Sequence, residues 1–460
     1  MRSYSTPLVS ASEKVDLITQ GNLRTALFRL ALPAMAMMLG NMLFEISAMF
    51  WVGRVSAAGI AAVSVANYMV WTIKSLALIT AGGTNAQLSQ NAGAKNWERV
   101  AYWFWMGTLL SIVYSVIIAA VSFIILRGML EFMGLERDVL VLAMGYLKIF
   151  CASLPAVFLF AFFMHVFRAI GDALTSAIIT AFSLALCIVL DPILIFGWLG
   201  APEMGVPGAS LASAISQCVG VFLFIWRLKR TNLPLGFPSP REEMMSDFAE
   251  ISRIGVPLAL SGAMFSVIYI FITKIVAQFG TIQIAAMGVG QQLEGLVSFA
   301  CMAVAMALAT LVGQNVGAGN IDRAKGAVSL AAKYLVIFTL GISTIFILAG
   351  DVLASILTPD QAVIGATASY LVIIGLFETA MALEMGLQGA FAGSGDTLPP
   401  FLISGPLTII RIPVAWFLAL RMGFGVNAVW WTISVSTLLK GLLIWAMCRR
   451  GKWLLKRVKV

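Results

Sequence analysis

Five carboxylates stand inside long apolar runs of this sequence: Glu45, Asp191, Glu294, Glu378 and Glu384. An acid at mid-membrane costs roughly 2.5–3.5 kcal/mol on insertion scales, so each needs a reason to be there. Buried carboxylates can take up and release a proton or hold a cation such as Na+, which makes these five the ion-coupling candidates. Asp191 carries the sharpest expectation. It precedes Pro192 in IVLDPILIFG. Proline has no N–H, so the Ile188 carbonyl loses its helical donor. A freed carbonyl beside a carboxylate is a ligand pair for Na+, or else a protonatable site.

Five cations share the apolar runs. Lys274 and Lys440 fall near run ends, where an ammonium can snorkel to water. Lys74, Lys148 and Arg411 fall deeper and are expected to face a cavity or an acid, with a glutamate of the tenth run as partner for Arg411. Lys148, Met164 and Arg411 are the substrate-cavity candidates. Other chemistries fit less well. GQNVGAG lacks the G-x-x-x-x-G-K-[ST] phosphate cradle and reads as close helix packing with a tight turn. The only histidine, His165, reads as interfacial, and neither H-E-x-x-H nor a nucleophile elbow occurs. The five cysteines form no C-x-x-C pair and read as packing residues. The expectation is a protein that is no enzyme and uses no cofactor, only H+ or Na+.

The elements that must position these groups are transmembrane helices. The chain is 60% hydrophobic and 11% charged, where a soluble domain carries about 25% charged residues. Mean hydropathy is +0.96. Apolar runs long enough to cross a bilayer recur at 27–50, 59–82, 103–125, 139–164, 173–197, 205–226, 255–277, 283–308, 329–349, 365–390, 401–421 and 427–448. They are continuous rather than alternating, which disfavours a β-barrel. The net charge of +9 sits in short segments between runs. That is the placement of topology signals, not of a nucleic-acid surface. Lys and Arg lie overwhelmingly on the side of the two termini, so both ends are expected in the cytoplasm.

An internal repeat organises the helices. Gln90, Asn91, Gly93, Ala94, Asn96 and Arg99 recur as Gln314, Asn315, Gly317, Ala318, Asn320 and Arg323, an offset of 224. The same frame maps Pro33 to Pro257 and Gly171-Asp172 to Gly395-Asp396, each pair a turn plus N-cap. In the sixth run the register slips, and Gly205-Val206 matches Gly425-Val426. The fold class is therefore all-α integral membrane, twelve helices in two six-helix bundles over 27–226 and 255–448. Around them lie an N-terminal segment 1–26, a cytoplasmic linker 227–254 and a basic tail 449–460. Two parallel copies suit alternating access about an axis along the membrane normal. The acids break the repeat: Glu45, Glu294, Glu378 and Glu384 correspond to Tyr269, Val70, Leu154 and Phe160.

These residues resemble the multidrug and toxic compound extrusion (MATE) family. The resemblance is carried by WVGRVSAAGIAAVSVA, LDPILIFG, GVPGASLASAISQ, ATLVGQNVGAGNIDRA and GAFAGSGDT, and it covers nearly the whole chain. It implies a cell-membrane antiporter, working as a monomer, that exports small organic, often cationic compounds against H+ or Na+. Two departures bear on the ion. Where the family commonly has an aspartate in the first span this chain has Ala48, with Glu45 one turn earlier on the same face. Where it often has an asparagine four residues before Asp191, this chain has Cys187, a poor Na+ ligand. Both tilt the expectation toward proton coupling through Asp191 and Glu45. The alternatives are a lipid-linked oligosaccharide flippase of the same superfamily and a non-transporting membrane sensor or scaffold.

Overall fold

The computed structural model describes residues 11–133, 135–230, 244–455 and Val458. Among them every regular element is a helix. A short α1 (Ala11–Thr19) precedes the first half: α2 (Leu23–Gly53), α3 (Ala57–Leu76), α4 (Leu78–Gly93), α5 (Trp97–Phe132), α6 (Arg137–Ala152), α7 (Leu154–Ala169), α8 (Ala173–Phe196) and α9 (Val206–Lys229). The second half has α10 (Met244–Val276), α11 (Thr281–Gly317), α12 (Ile321–Leu357), α13 (Gln361–Gly375), α14 (Glu378–Ser394), α15 (Leu398–Ile409), α16 (Arg411–Trp416) and α17 (Asn427–Arg450). Most of the expected linker, 231–243, lies outside the described residues, as does much of the basic tail.

Among the described residues ten spans are long and apolar enough to cross a membrane, α3 with α4 and α15 with α16 and its continuation to Arg421 counting as one each, and two bent pairs, each taken as one span, bring the number to twelve. The bent pairs are α6–α7, turned by 55°, and α13–α14, turned by 59°. Their break points, Ser153 and Phe377, stand at equivalent positions of the repeat. Pro33 and Pro257 likewise recur inside α2 and α10. The helix ends follow local chemistry. Asp172 begins α8 by accepting the Thr175 N–H, and Gly197 ends it in the left-handed conformation that glycine adopts without strain. The repeat of that turn is not capped alike. α15 is preceded by Thr397, whose hydroxyl donates instead to the Ile254 carbonyl at 2.6 Å, so Asp396 is not its N-cap.

The halves meet where backbones can approach closely. Gly83 and Gly255 lie against the carbonyls of Ile251 and Ile79, joining α4 to α10. Gly93 lies against the Gln314 carbonyl and Gly317 against the Gln90 carbonyl, joining α4 to α11. A Cβ at either would overlap the opposing oxygen. Small residues at such crossings are the usual means of packing helices in lipid, where apolar side chains gain little by leaving the tails.

Candidate functional site

In the first half, α2, α3, α6 and α9 surround a cavity of about 50 Å³ lined by Glu45, Ala48, Trp71, Lys74, Tyr146 and Ser210 among others. Glu45 and Ala48 share this wall, as residues three apart on one helix face should. Glu45 and Lys74 both remain accessible to solvent. Asp191 stands within electrostatic reach of Tyr146, which also feels Glu45. The Asp191 side chain is fully buried, and neither carboxylate oxygen has a hydrogen-bond partner.

The second half holds the other three acids, each in a different setting. Glu294 of α11 accepts from the Tyr370 hydroxyl at 2.9 Å. Glu384 of α14 pairs with Lys440 of α17 at 2.9 Å and accepts from Ser404 at 3.0 Å. Glu378 opens α14 at the break in the fourth span of this half, fully buried, with no hydrogen-bond partner. A helix N-terminus presents free N–H groups and the positive end of the dipole, which suits an acid there.

Two expectations about the cations are corrected. Lys440 does not snorkel to water: it is buried and salt-bridged to Glu384. Arg411 pairs with no glutamate: it donates to Ser436 at 2.6 Å, to Thr437 at 2.7 Å and to the Ile433 carbonyl at 3.4 Å. Lys440 takes Glu384, one of the two tenth-run glutamates expected as partners for Arg411. Of the other cavity candidates, Lys148 is exposed on α6. Met164 is packed with Met35, Met37 and Met306 where α2, α7 and α8 meet α11. Tyr370, Ser404 and Tyr146 were missed as site residues: Ser404 is a single hydroxyl in an apolar run, and Tyr146-Leu147 and Tyr370-Leu371 were visible only as mates of the repeat.

The repeated glutamines cross between the halves. Gln90 donates to the Gly393 carbonyl at 3.1 Å, and Gln314 donates to the Ala169 carbonyl at 2.7 Å. Donors and acceptors are both related by the 224 offset, so one latch is made twice. The chain ends fasten it. Val458 donates its N–H to Gln90 Oε1 at 3.2 Å. Arg323 and Asn320 of the second half bind the carbonyls that end α1, Arg323 at Ile18 and Gly21 and Asn320 at Thr19. On its other face α1 pairs Lys14 with Asp172 at 2.5 Å. The bundle is thus closed on the side that carries both chain ends.

Twelve spans in two repeated halves, with carboxylates buried in each and a latch between them, define a secondary transporter. The MatE family model matches residues 33–193 and again 257–417, two stretches separated by the same offset as the repeat. The chain belongs to this family: it is a multi-pass membrane transporter and not an enzyme. Its sequence is 28% identical over 435 residues to the probable multidrug resistance protein NorM of Thermotoga maritima, covering 94% of this chain and 93% of that one. Its fold is that of a multidrug resistance MATE family transporter solved in an outward-facing conformation, with a TM-score of 0.88, 22% identity and coverage of 96% and 98%. A MOP superfamily transporter from Pyrococcus furiosus, described as having a binding pocket of reversed polarity, superposes with a TM-score of 0.87 at 22% identity, covering 96% and 99%.

Proposed function

We propose that this chain is a cation-coupled antiporter that exports small organic compounds, cationic or amphiphilic, from the cytoplasm. One observation carries the reading: Asp191 and Glu378, one in each half, are fully buried carboxylates without a hydrogen-bond partner. Burying such a group costs several kcal/mol, a cost that a bound proton or metal cation relieves.

The ion and the organic compound need not touch. Ion binding favours one arrangement of the halves and the compound favours the other, and only that difference in affinity drives exchange. H+ is preferred to Na+ because Cys187, a soft and weak donor, stands one turn from Asp191, and no cluster of three metal-ligating side chains occurs among the described residues. The excess of Lys and Arg on the side of the chain ends supports placing both ends in the cytoplasm. The flippase reading would want cations free in the cavity. Arg411 and Lys440 are engaged by Ser436, Thr437 and Glu384 instead, which leaves Lys74 as the cation lining the first-half cavity.

The test is ethidium transport in proteoliposomes under an imposed pH gradient and, separately, a Na+ gradient, for wild type, Asp191→Asn and Glu378→Gln. Proton-driven transport abolished by at least one variant is expected. Full activity in both variants would remove these carboxylates from coupling, and Na+-driven transport alone would reverse the ion assignment.

A further inference from the structure

One face of α8 is polar along its whole length. Ser176, Thr180, Ser183, Cys187 and Asp191 follow one another at three- or four-residue steps, in line with the N-cap Asp172. At 3.6 residues per turn these positions fall within a sector of about 100°. All six are buried. α9 covers this face with its own small residues. Ser216 lies beside Cys187, Ser210 lines the cavity near Tyr146, and Gly220 is so close to Ser183 that a Cβ there would come within 2.5 Å of its hydroxyl oxygen.

The hydroxyls of this seam differ from most others in the spans, although Thr84 and Thr367 elsewhere are also without a partner. Thr108, Thr339, Thr344, Thr408 and Thr432 each donate to the carbonyl four residues earlier, the ordinary solution in lipid. Thr180, Ser183 and Ser210 have no partner, nor do the carboxylate oxygens of Asp191. Ser216 is engaged by the Cys187 thiol and Ser176, at the inner end, by the Met164 carbonyl at 3.2 Å. Orphaned polar groups strung along one seam point to a common occupant that can both donate and accept.

We propose that the α8–α9 seam of the first half is a proton path, a file of hydroxyls and water that joins Asp191 to the side carrying the chain ends. This rests on the reading of Asp191 as a coupling site. From Asp172 to Asp191 the helix rises about 28 Å, close to the thickness of the hydrocarbon core. Each step is about 4.5–6 Å, which one bridging water spans. A hydroxyl accepts a proton on a lone pair and passes its own onward, so one proton moves and nothing is consumed. The inner end is the Lys14–Asp172 pair, which places α1 over the exit. At the outer end the groups facing Asp191 are Tyr146 and Cys187, with Glu45 and Lys74 across the cavity.

The second half serves as an internal control. At the positions of Ser176, Ser183, Cys187 and Asp191 it has Pro400, Leu407, Arg411 and Ala415, while the mate of Thr180 is Ser404, which keeps a hydroxyl. Gly220 becomes Lys440 in the slipped register. The equivalent span, broken between α15 and α16, therefore carries a filled, interrupted seam.

The experiment compares pH-gradient-driven ethidium transport in proteoliposomes with equilibrium ethidium binding, for Thr180→Val, Ser183→Ala, Thr180→Ser and the seam-distant Thr344→Val. Thr180→Val and Ser183→Ala are expected to lose at least tenfold in transport and to keep binding within twofold. Thr180→Ser, which retains the hydroxyl, and Thr344→Val are expected to stay within twofold in both. Wild-type transport rates in Thr180→Val and Ser183→Ala would overturn the path and leave the coupling reading standing. Loss of binding along with transport, not rescued by Thr180→Ser, would overturn it in favour of a packing role. Absence of pH-driven transport in the wild type would remove the coupling reading itself.

Discussion

Where the first half has Cys187 and Gly220, the second has Arg411 and Lys440; where it has Leu154 at the broken fourth span, the second has Glu378. Much of the backbone recurs, including the breaks at Ser153 and Phe377, the prolines Pro33 and Pro257 and the crossing glutamines, but the continuous α8 has as its mate a span split into α15, α16 and a π-helical turn, broken just before Arg411. One scaffold thus supports two polar interiors, an open seam of small hydroxyls around a lone Asp191 and a dense network of long charged side chains. Positions that set how backbones approach are held in register, while positions that set charge have diverged. Two different tasks in one cycle follow from this more readily than two equivalent sites.

The largest effect should come from breaking the dense interior. Glu384→Leu leaves the Lys440 ammonium buried without its acid and should cost about 3–5 kcal/mol, most of it recovered in the double variant with Lys440→Leu. Thermal unfolding in detergent reads this, and a single variant within about 1 kcal/mol of wild type would show that the second half is not held by its charges. Next is the shared scaffold. Gly93→Ala and Gly317→Ala should each cost about 3 kcal/mol, because a methyl at either overlaps a carbonyl oxygen. Clearly unequal losses would mean that the repeat is not mechanically symmetric.

A smaller effect sharpens the symmetry further. Gln90→Ala and Gln314→Ala should each cost about 1 kcal/mol per lost hydrogen bond, with Gln90 the larger because it also accepts from Val458. Equal melting temperatures for the two variants would count against the Val458 contact. Smallest is the exposed Lys95–Asp16 pair, 2.8 Å apart, where Lys95→Ala should change stability by less than about 1 kcal/mol, and less still at high salt.

Span number, the repeat and the five acids were legible in the sequence, because each is a pattern: apolar length, self-similarity, or charge out of place. The pairing of the acids was not. Nothing in spacing along α14, α16 and α17 distinguishes Lys440 from Arg411 as the partner of Glu384, since helix rotation and tilt decide it. The Gln-Asn motif was visible but read as packing. Its crossing hydrogen bonds depend on Gly393 and Ala169, some eighty residues further along each half. The polar face of α8 could have been found, as its period is helical, but serine and threonine weigh little beside an aspartate when apolar runs are scanned.

The latch has its fasteners at the extremities of the chain. Separating the halves on that side breaks either the bonds of α1 to Arg323 and Asn320 or its Lys14–Asp172 pair, together with the Val458–Gln90 bond. Each 1.4 kcal/mol so spent alters the opening equilibrium tenfold. Weakening the contacts of α1 and Val458 is therefore expected to shift how readily that side opens. Cargo-independent control of turnover follows: a peptide or fusion that competes for either end should quicken or slow the cycle without altering which compounds are carried.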